Sequence, residues 1–102
     1  MRVTMTKQEL LAELQDIRYY NTHREMFRKA ENTGFKAKTL ELIGKYDTLL
    51  LNAPLRLQMA YHKIFTEGKT QADTAKELGI SVSYTKSLMR KLYAYLLERI
   101  NR

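Results

Sequence analysis

The chain has no cysteine and no tryptophan, a single proline and four glycines in 102 residues. Without cysteine there is no disulfide framework, no thiolate zinc site and no thiol nucleophile. No apolar run approaches the roughly 20 residues needed to cross a bilayer, and the N-terminus lacks the apolar stretch of a signal peptide. These absences predict a soluble cytoplasmic protein with no membrane partner. The two histidines, His23 and His62, stand far apart with no His-Glu-x-x-His spacing, so no metal site is expected. No serine lies in a nucleophile-elbow context and no glycine loop is built to cradle phosphate. The sequence therefore predicts neither catalysis nor a cofactor. Scarcity of proline and glycine also points to an all-α fold, because these residues fall near the ends of apolar-periodic stretches, Gly44 excepted.

What the chain does have is positive charge. It carries 18 Lys and Arg against 11 Asp and Glu, a formal net charge of +7. Residues 1–52 hold nine cations and seven acids, whereas 53–102 hold nine and four. The excess sits in the second half. A small basic protein favours polyanions, with counterion release from phosphates supplying affinity that ignores sequence. Acidic membrane surfaces and RNA would satisfy the same charge, so charge alone does not choose among them. The length suits one compact domain rather than two well-buried cores.

Five helices are expected. Thr6 with Glu9 forms a capping box, and Leu10, Leu14 and Ile17 then repeat at helical spacing toward Tyr20 and Phe27, giving a long helix to about Ala30. Asn32-Thr33-Gly34 reads as its end. A second helix runs from about Lys36 to Leu51, with Leu40, Ile43, Tyr46 or Asp47, and Leu50 along one side. Asn52-Ala53-Pro54 separates it from a third, because proline suits a first helical turn. That third helix spans about Leu55 to Thr66 with a stripe of Leu57, Ala60, Tyr61 and Ile64, and Glu67-Gly68-Lys69 makes the next turn. Residues 1–52 thus read as a helical hairpin and 53–102 as a unit ending in the last two helices, all packed as one domain.

Those last helices carry the most informative spacing in the chain, residues 70–91, Thr-Gln-Ala-Asp-Thr-Ala-Lys-Glu-Leu-Gly-Ile-Ser-Val-Ser-Tyr-Thr-Lys-Ser-Leu-Met-Arg-Lys. Ala75 is small where a following helix passes close. Gly79, four residues on, suits a left-handed turn. Leu78, Ile80 and Leu88 fill the wedge between the two helices, and Ser81 is a good N-cap for the second. Thr70 and Asp73 start the first in a weak capping box. Thr74 and Thr85 stand where branched aliphatic residues are more usual; each hydroxyl is able to bond back to a helical carbonyl. The pattern is that of a helix-turn-helix.

From Glu67-Gly68-Lys69-Thr70-Gln71 to Leu92 the chain resembles the helix-turn-helix of region 4 of the sigma-70 family, a shape shared with response-regulator output domains and small regulators of Gram-positive phages and mobile elements. The resemblance covers about the last half of the chain. It implies promoter or operator binding by double-stranded DNA recognition, with the second helix of the motif, about 82–99, in the major groove.

That helix separates into two sides. Thr85, Leu88, Leu92 and Tyr95 or Leu96 face inward, with Met89 at the margin; Ser83, Lys86, Ser87 and Arg90 face out. Small hydroxyls near the start allow close approach and the cations beyond reach edges or phosphates. Val82, Ser83, Lys86, Ser87 and Arg90 are the candidates for base contact. Lys69, Gln71, Tyr84 and Lys91 are assigned to the DNA backbone. No acid interrupts the span from Gly79 to Glu98. The seven tyrosines include the adjacent pair Tyr19 and Tyr20, which cannot share one helix face, so at least one lies near the surface. This makes residues 1–52 a candidate surface for a homodimer or for RNA polymerase. The expected function is sequence-specific transcriptional regulation. A protein-binding adaptor or inhibitor acting on RNA polymerase or another host complex, and a terminase-like DNA-packaging accessory, are the alternatives.

Overall fold

The computed structural model describes residues 4–29 and 34–102. It is all-α, with helices α1 (Lys7–Thr22), α2 (Arg24–Lys29), α3 (Gly34–Leu49), α4 (Leu55–Tyr61), α5 (Gln71–Leu78) and α6 (Val82–Ile100); α4 continues directly into a π-helical segment, His62–Thr66. The described residues contain no strand.

Helix α1 starts where its capping box requires. Thr6 Oγ1 accepts from the Glu9 N–H at 3.2 Å and the Glu9 carboxylate accepts from the Thr6 N–H at 3.1 Å, satisfying two donors that the helix leaves orphaned. It ends earlier than the expected Ala30. At Thr22 and His23 local side chains take over the last carbonyls: Thr22 Oγ1 donates to Arg18 O at 2.9 Å and His23 Nδ1 lies 2.9 Å from Tyr19 O. The backbone turns at His23, and the separate helix α2 carries Phe27 back against Tyr19, Tyr20 and Phe35. Ala30 and the Asn32-Thr33 turn lie outside the described residues, while Gly34 begins α3 rather than closing a turn.

In α3 the expected stripe holds at Tyr46 and Leu50, but its first half is corrected by one position, from Leu40 and Ile43 to Thr39 and Leu42. Thr39, Leu42 and Tyr46 are buried, followed by Leu50, whereas Leu40 is 47% exposed and Ile43 only half-buried. The run Leu40-Glu41-Leu42-Ile43 offers two registers at helical spacing, and packing against α1 selects the one that points Tyr46 inward. There the Tyr46 hydroxyl donates to the Glu13 carboxylate, which Lys45 also approaches at 3.2 Å. Burial and that carboxylate raise the Tyr46 phenol well above its ordinary pKa.

The stripe Leu57, Ala60, Tyr61 and Ile64 is buried as its spacing predicts, but the helix does not stay α-helical beyond Tyr61. The π-helical widening closes with Glu67 N–H donating to His62 O at 2.8 Å and brings Phe65 into the core beside Ile64. Carbonyls at its end are satisfied from α1: Arg18 Nε donates to Ile64 O at 3.2 Å, an Arg18 terminal nitrogen to Gly68 O at 2.9 Å, and Asn21 to Phe65 O at 3.0 Å. Gly68 follows at φ +74°, and a Cβ there would meet Thr22 Cγ2, so α1 and this turn approach as closely as glycine permits.

One contiguous core gathers Leu10, Leu14 and Ile17 of α1, Leu42 and Tyr46 of α3, Leu57, Ala60 and Tyr61 of α4, and Leu88, Met89, Leu92 and Leu96 of α6. Residues 1–52 and 53–102 therefore share one interior. The residues flanking α1 and α6 meet as well, through a reciprocal pair: the Met5 N–H donates to Asn101 Oδ1 at 2.9 Å and Asn101 Nδ2 donates to Met5 O at 3.0 Å.

Candidate nucleic-acid interface

The turn between α5 and α6 is built from local chemistry. Thr70 caps α5 by accepting from the Asp73 N–H at 3.0 Å. At the other end Gly79 adopts φ +69°, ψ +35°; its N–H donates to Lys76 O at 3.3 Å and the Ile80 N–H to Ala75 O at 2.9 Å. This is the two-bond stop of a Schellman motif. A Cβ on Gly79 would meet nothing within 4 Å, so glycine serves the backbone conformation there and not the space. Ser81 then caps α6, accepting from the Tyr84 N–H at 3.0 Å.

Between the two helices Ala75 and Leu88 are buried, and Ile80 packs half-buried against the core. Leu78 is only half-buried, a weaker wedge than its spacing predicts. Thr74 and Thr85 are both fully buried, yet they differ. Thr85 Oγ1 donates to Ser81 O at 3.0 Å, whereas Thr74 Oγ1 has no partner, contrary to the expected bond to a helical carbonyl. A buried hydroxyl without a partner opposes folding. Thr74→Val is therefore expected to raise stability by up to about 1 kcal/mol in thermal melts, while Thr85→Val, which discards a satisfied bond, gains nothing. A lower melting temperature for Thr74→Val would overturn this account of the wedge.

The outward face of α6 holds most of the expected contact residues. Val82 is 43% exposed, Ser83, Lys86, Arg90 and Lys91 are exposed, and Ser87 is half-buried beside them. Met89, expected at the margin, is fully in the core with Thr85, Leu88, Leu92 and Leu96. Of Tyr95 and Leu96, Leu96 is the buried one; the Tyr95 ring stacks under the Arg99 guanidinium, 4.7 Å from its centroid. Among the described residues no ion pair engages Lys86, Arg90 or Lys91.

The cations before α5 behave differently. Glu77 draws in Lys63 at 3.2 Å and Lys69 at 3.7 Å, and Glu67 shares Lys63 at 3.4 Å. The hydrogen bond to Glu77 and the two carboxylates raise the Lys63 pKa. Lys69 is thus already partly neutralised, which weakens it as a phosphate contact. Gln71 stands half-buried in the first turn of α5.

Arg56 stands beside this face as well. It lies in α4, 28 residues before Tyr84 of α6, but α4 packs on α6 and its guanidinium carbon sits 5.9 Å from the Tyr84 ring centroid. Nothing in the local pattern around Pro54-Leu55-Arg56 signals this, because only the tertiary crossing brings the pair together.

No group of three or more His, Asp or Glu among the described residues lies together as a metal requires, and no described helix is long and apolar enough to cross a membrane. Compared with protein families, with curated proteins and with solved structures, the chain finds no match in any of the three.

Proposed function

We propose that the protein is a sequence-specific DNA-binding regulator of transcription whose α6 enters the major groove from its N-terminal end. The observation that supports this most directly is the row Ser83, Lys86, Ser87 and Arg90: small hydroxyls beside cations that no ion pair among the described residues engages, on one side of a helix whose other side is core. A helix with its side chains is about as wide as the B-DNA major groove, roughly 12 Å. Small residues at its leading turns let the backbone approach base edges, while Lys86 and Arg90 reach donors toward guanine or phosphate. A single copy covers few base pairs, so useful specificity calls for a second copy on an adjacent half-site or for contact with RNA polymerase.

A protein-directed adaptor is the second reading. It is favoured by Tyr19, Met26 and Leu40, apolar side chains each nearly half exposed in α1, α2 and α3. It predicts weak DNA affinity and loss of function from changes at those three positions.

Fluorescence anisotropy on fragments flanking the protein's own gene, at physiological salt with excess random competitor, separates the two. A fragment bound about a thousandfold more tightly than random DNA supports the regulator. Binding that ignores sequence and vanishes with salt moves the role to a packaging-type accessory, and no binding at all to the adaptor.

A further inference from the structure

We propose that Arg56, together with Tyr84 and Lys91, forms a phosphate-binding shoulder beside the recognition helix, so that α4 contributes to the DNA site as well as α5 and α6. This rests on the proposed reading of α6 as the DNA-binding helix.

Tyr84 and Lys91 are seven residues apart, two turns of one helix, and therefore lie on the same flank of α6 about 10.5 Å from each other along its axis. Lys91 is exposed and Tyr84 is 44% exposed, so both project from that flank. Arg56 arrives on it from another helix. Its guanidinium sits over the Tyr84 ring, 5.9 Å from the centroid, and no ion pair among the described residues uses it. The ring face holds a planar cation without neutralising it, which leaves the guanidinium donors free to turn outward. The Tyr84 hydroxyl supplies one more donor on the same edge. Ser83, Lys86 and Arg90 occupy the adjoining face that would meet the bases, so a row of donors on the flank falls where a helix seated in a groove meets the phosphate strand beside it. The ligand class is the phosphodiester backbone, and the shoulder supplies register and affinity without reading sequence.

The test measures affinity against salt for the wild type, Arg56→Ala, Arg56→Gln and Arg56→Lys, on the fragment the wild type selects and on random DNA. Arg56→Ala is expected to weaken both about equally, up to roughly tenfold, and to reduce the slope of log affinity on log salt by about 0.9, the value for one phosphate contact. Arg56→Lys keeps the charge and should keep most of the slope. Should Arg56→Ala melt early, Arg56→Gln retains the stem and a planar end group while removing the charge, and its slope decides. An unchanged slope in the charge-removing variants, or a loss confined to the selected fragment, overturns the shoulder while leaving α6 as the reading helix. A wild type that binds no DNA overturns both.

Discussion

Leu92→Ala is expected to cost about 2 to 5 kcal/mol of folding stability, a large fraction of the roughly 5 to 15 kcal/mol available to a domain of this size. Leu92 is fully buried, on the middle of the longest described helix. With Leu88, Met89 and Leu96 it forms the side of α6 that joins the core shared with α1, α3 and α4. Removing its isobutyl end loses the transfer free energy of the buried groups and leaves a cavity that surrounding helices fill only in part. Urea titration followed by helical circular dichroism measures the loss directly. A change below about 1 kcal/mol would mean that α6 is not the helix on which the others pack. The same variant would appear defective in DNA binding for want of folded protein, so a binding assay alone would misassign Leu92 to the interface. Leu88 and Met89, within the very turns that carry Lys86 and Arg90, carry the same risk.

Features governed by hydrogen bonds within a few residues were legible in the sequence. Thr6 with Glu9, Ser81 as a cap and Gly79 as a left-handed stop all depend on neighbours three or four positions away and occur as expected, while Thr70 caps α5 by accepting from the Asp73 N–H without the reciprocal bond of a capping box. The α4 stripe was legible for a similar reason, since Leu57, Ala60, Tyr61 and Ile64 admit one register. Features set by distant partners were not. The α3 register depended on which residue meets α1, and the π-helical segment on Arg18 and Asn21 accepting the burden of its carbonyls from more than 40 positions away. The break at His23 was local, but it competes with a strong apolar repeat running through it, and the repeat is the louder signal. In the candidate site the outward row of α6 follows from period alone. The pairing of Lys69 by Glu77 crosses a turn, and the stacking of Arg56 on Tyr84 crosses between helices, so neither is encoded in spacing.

Replacing both Lys86 and Arg90 by alanine is expected to abolish selective DNA binding while leaving the fold intact. The two lie four residues apart on one exposed face and form no ion pair among the described residues that would be lost with them. Stability should therefore change by no more than about 0.5 kcal/mol, the range for surface positions. Contact with a base edge is worth about 1 to 3 kcal/mol for each side chain, so losing both lowers affinity for a selected fragment by roughly 30-fold to 10⁴-fold at most. Neighbouring contacts to one groove are not independent, which places the double variant short of the sum of the singles. Random DNA discriminates between the roles: if Lys86 and Arg90 read bases, the selected fragment loses more than random sequence does, whereas a backbone role weakens the two alike, as expected for Lys91→Ala. Anisotropy on both DNAs, paired with a melting curve for each variant, gives the answer. A double variant that melts like the wild type and still selects its fragment would exclude the outward face of α6 as the reading surface, and the exposed side chains of α1, α2 and α3 would then be the place where this protein meets its partner.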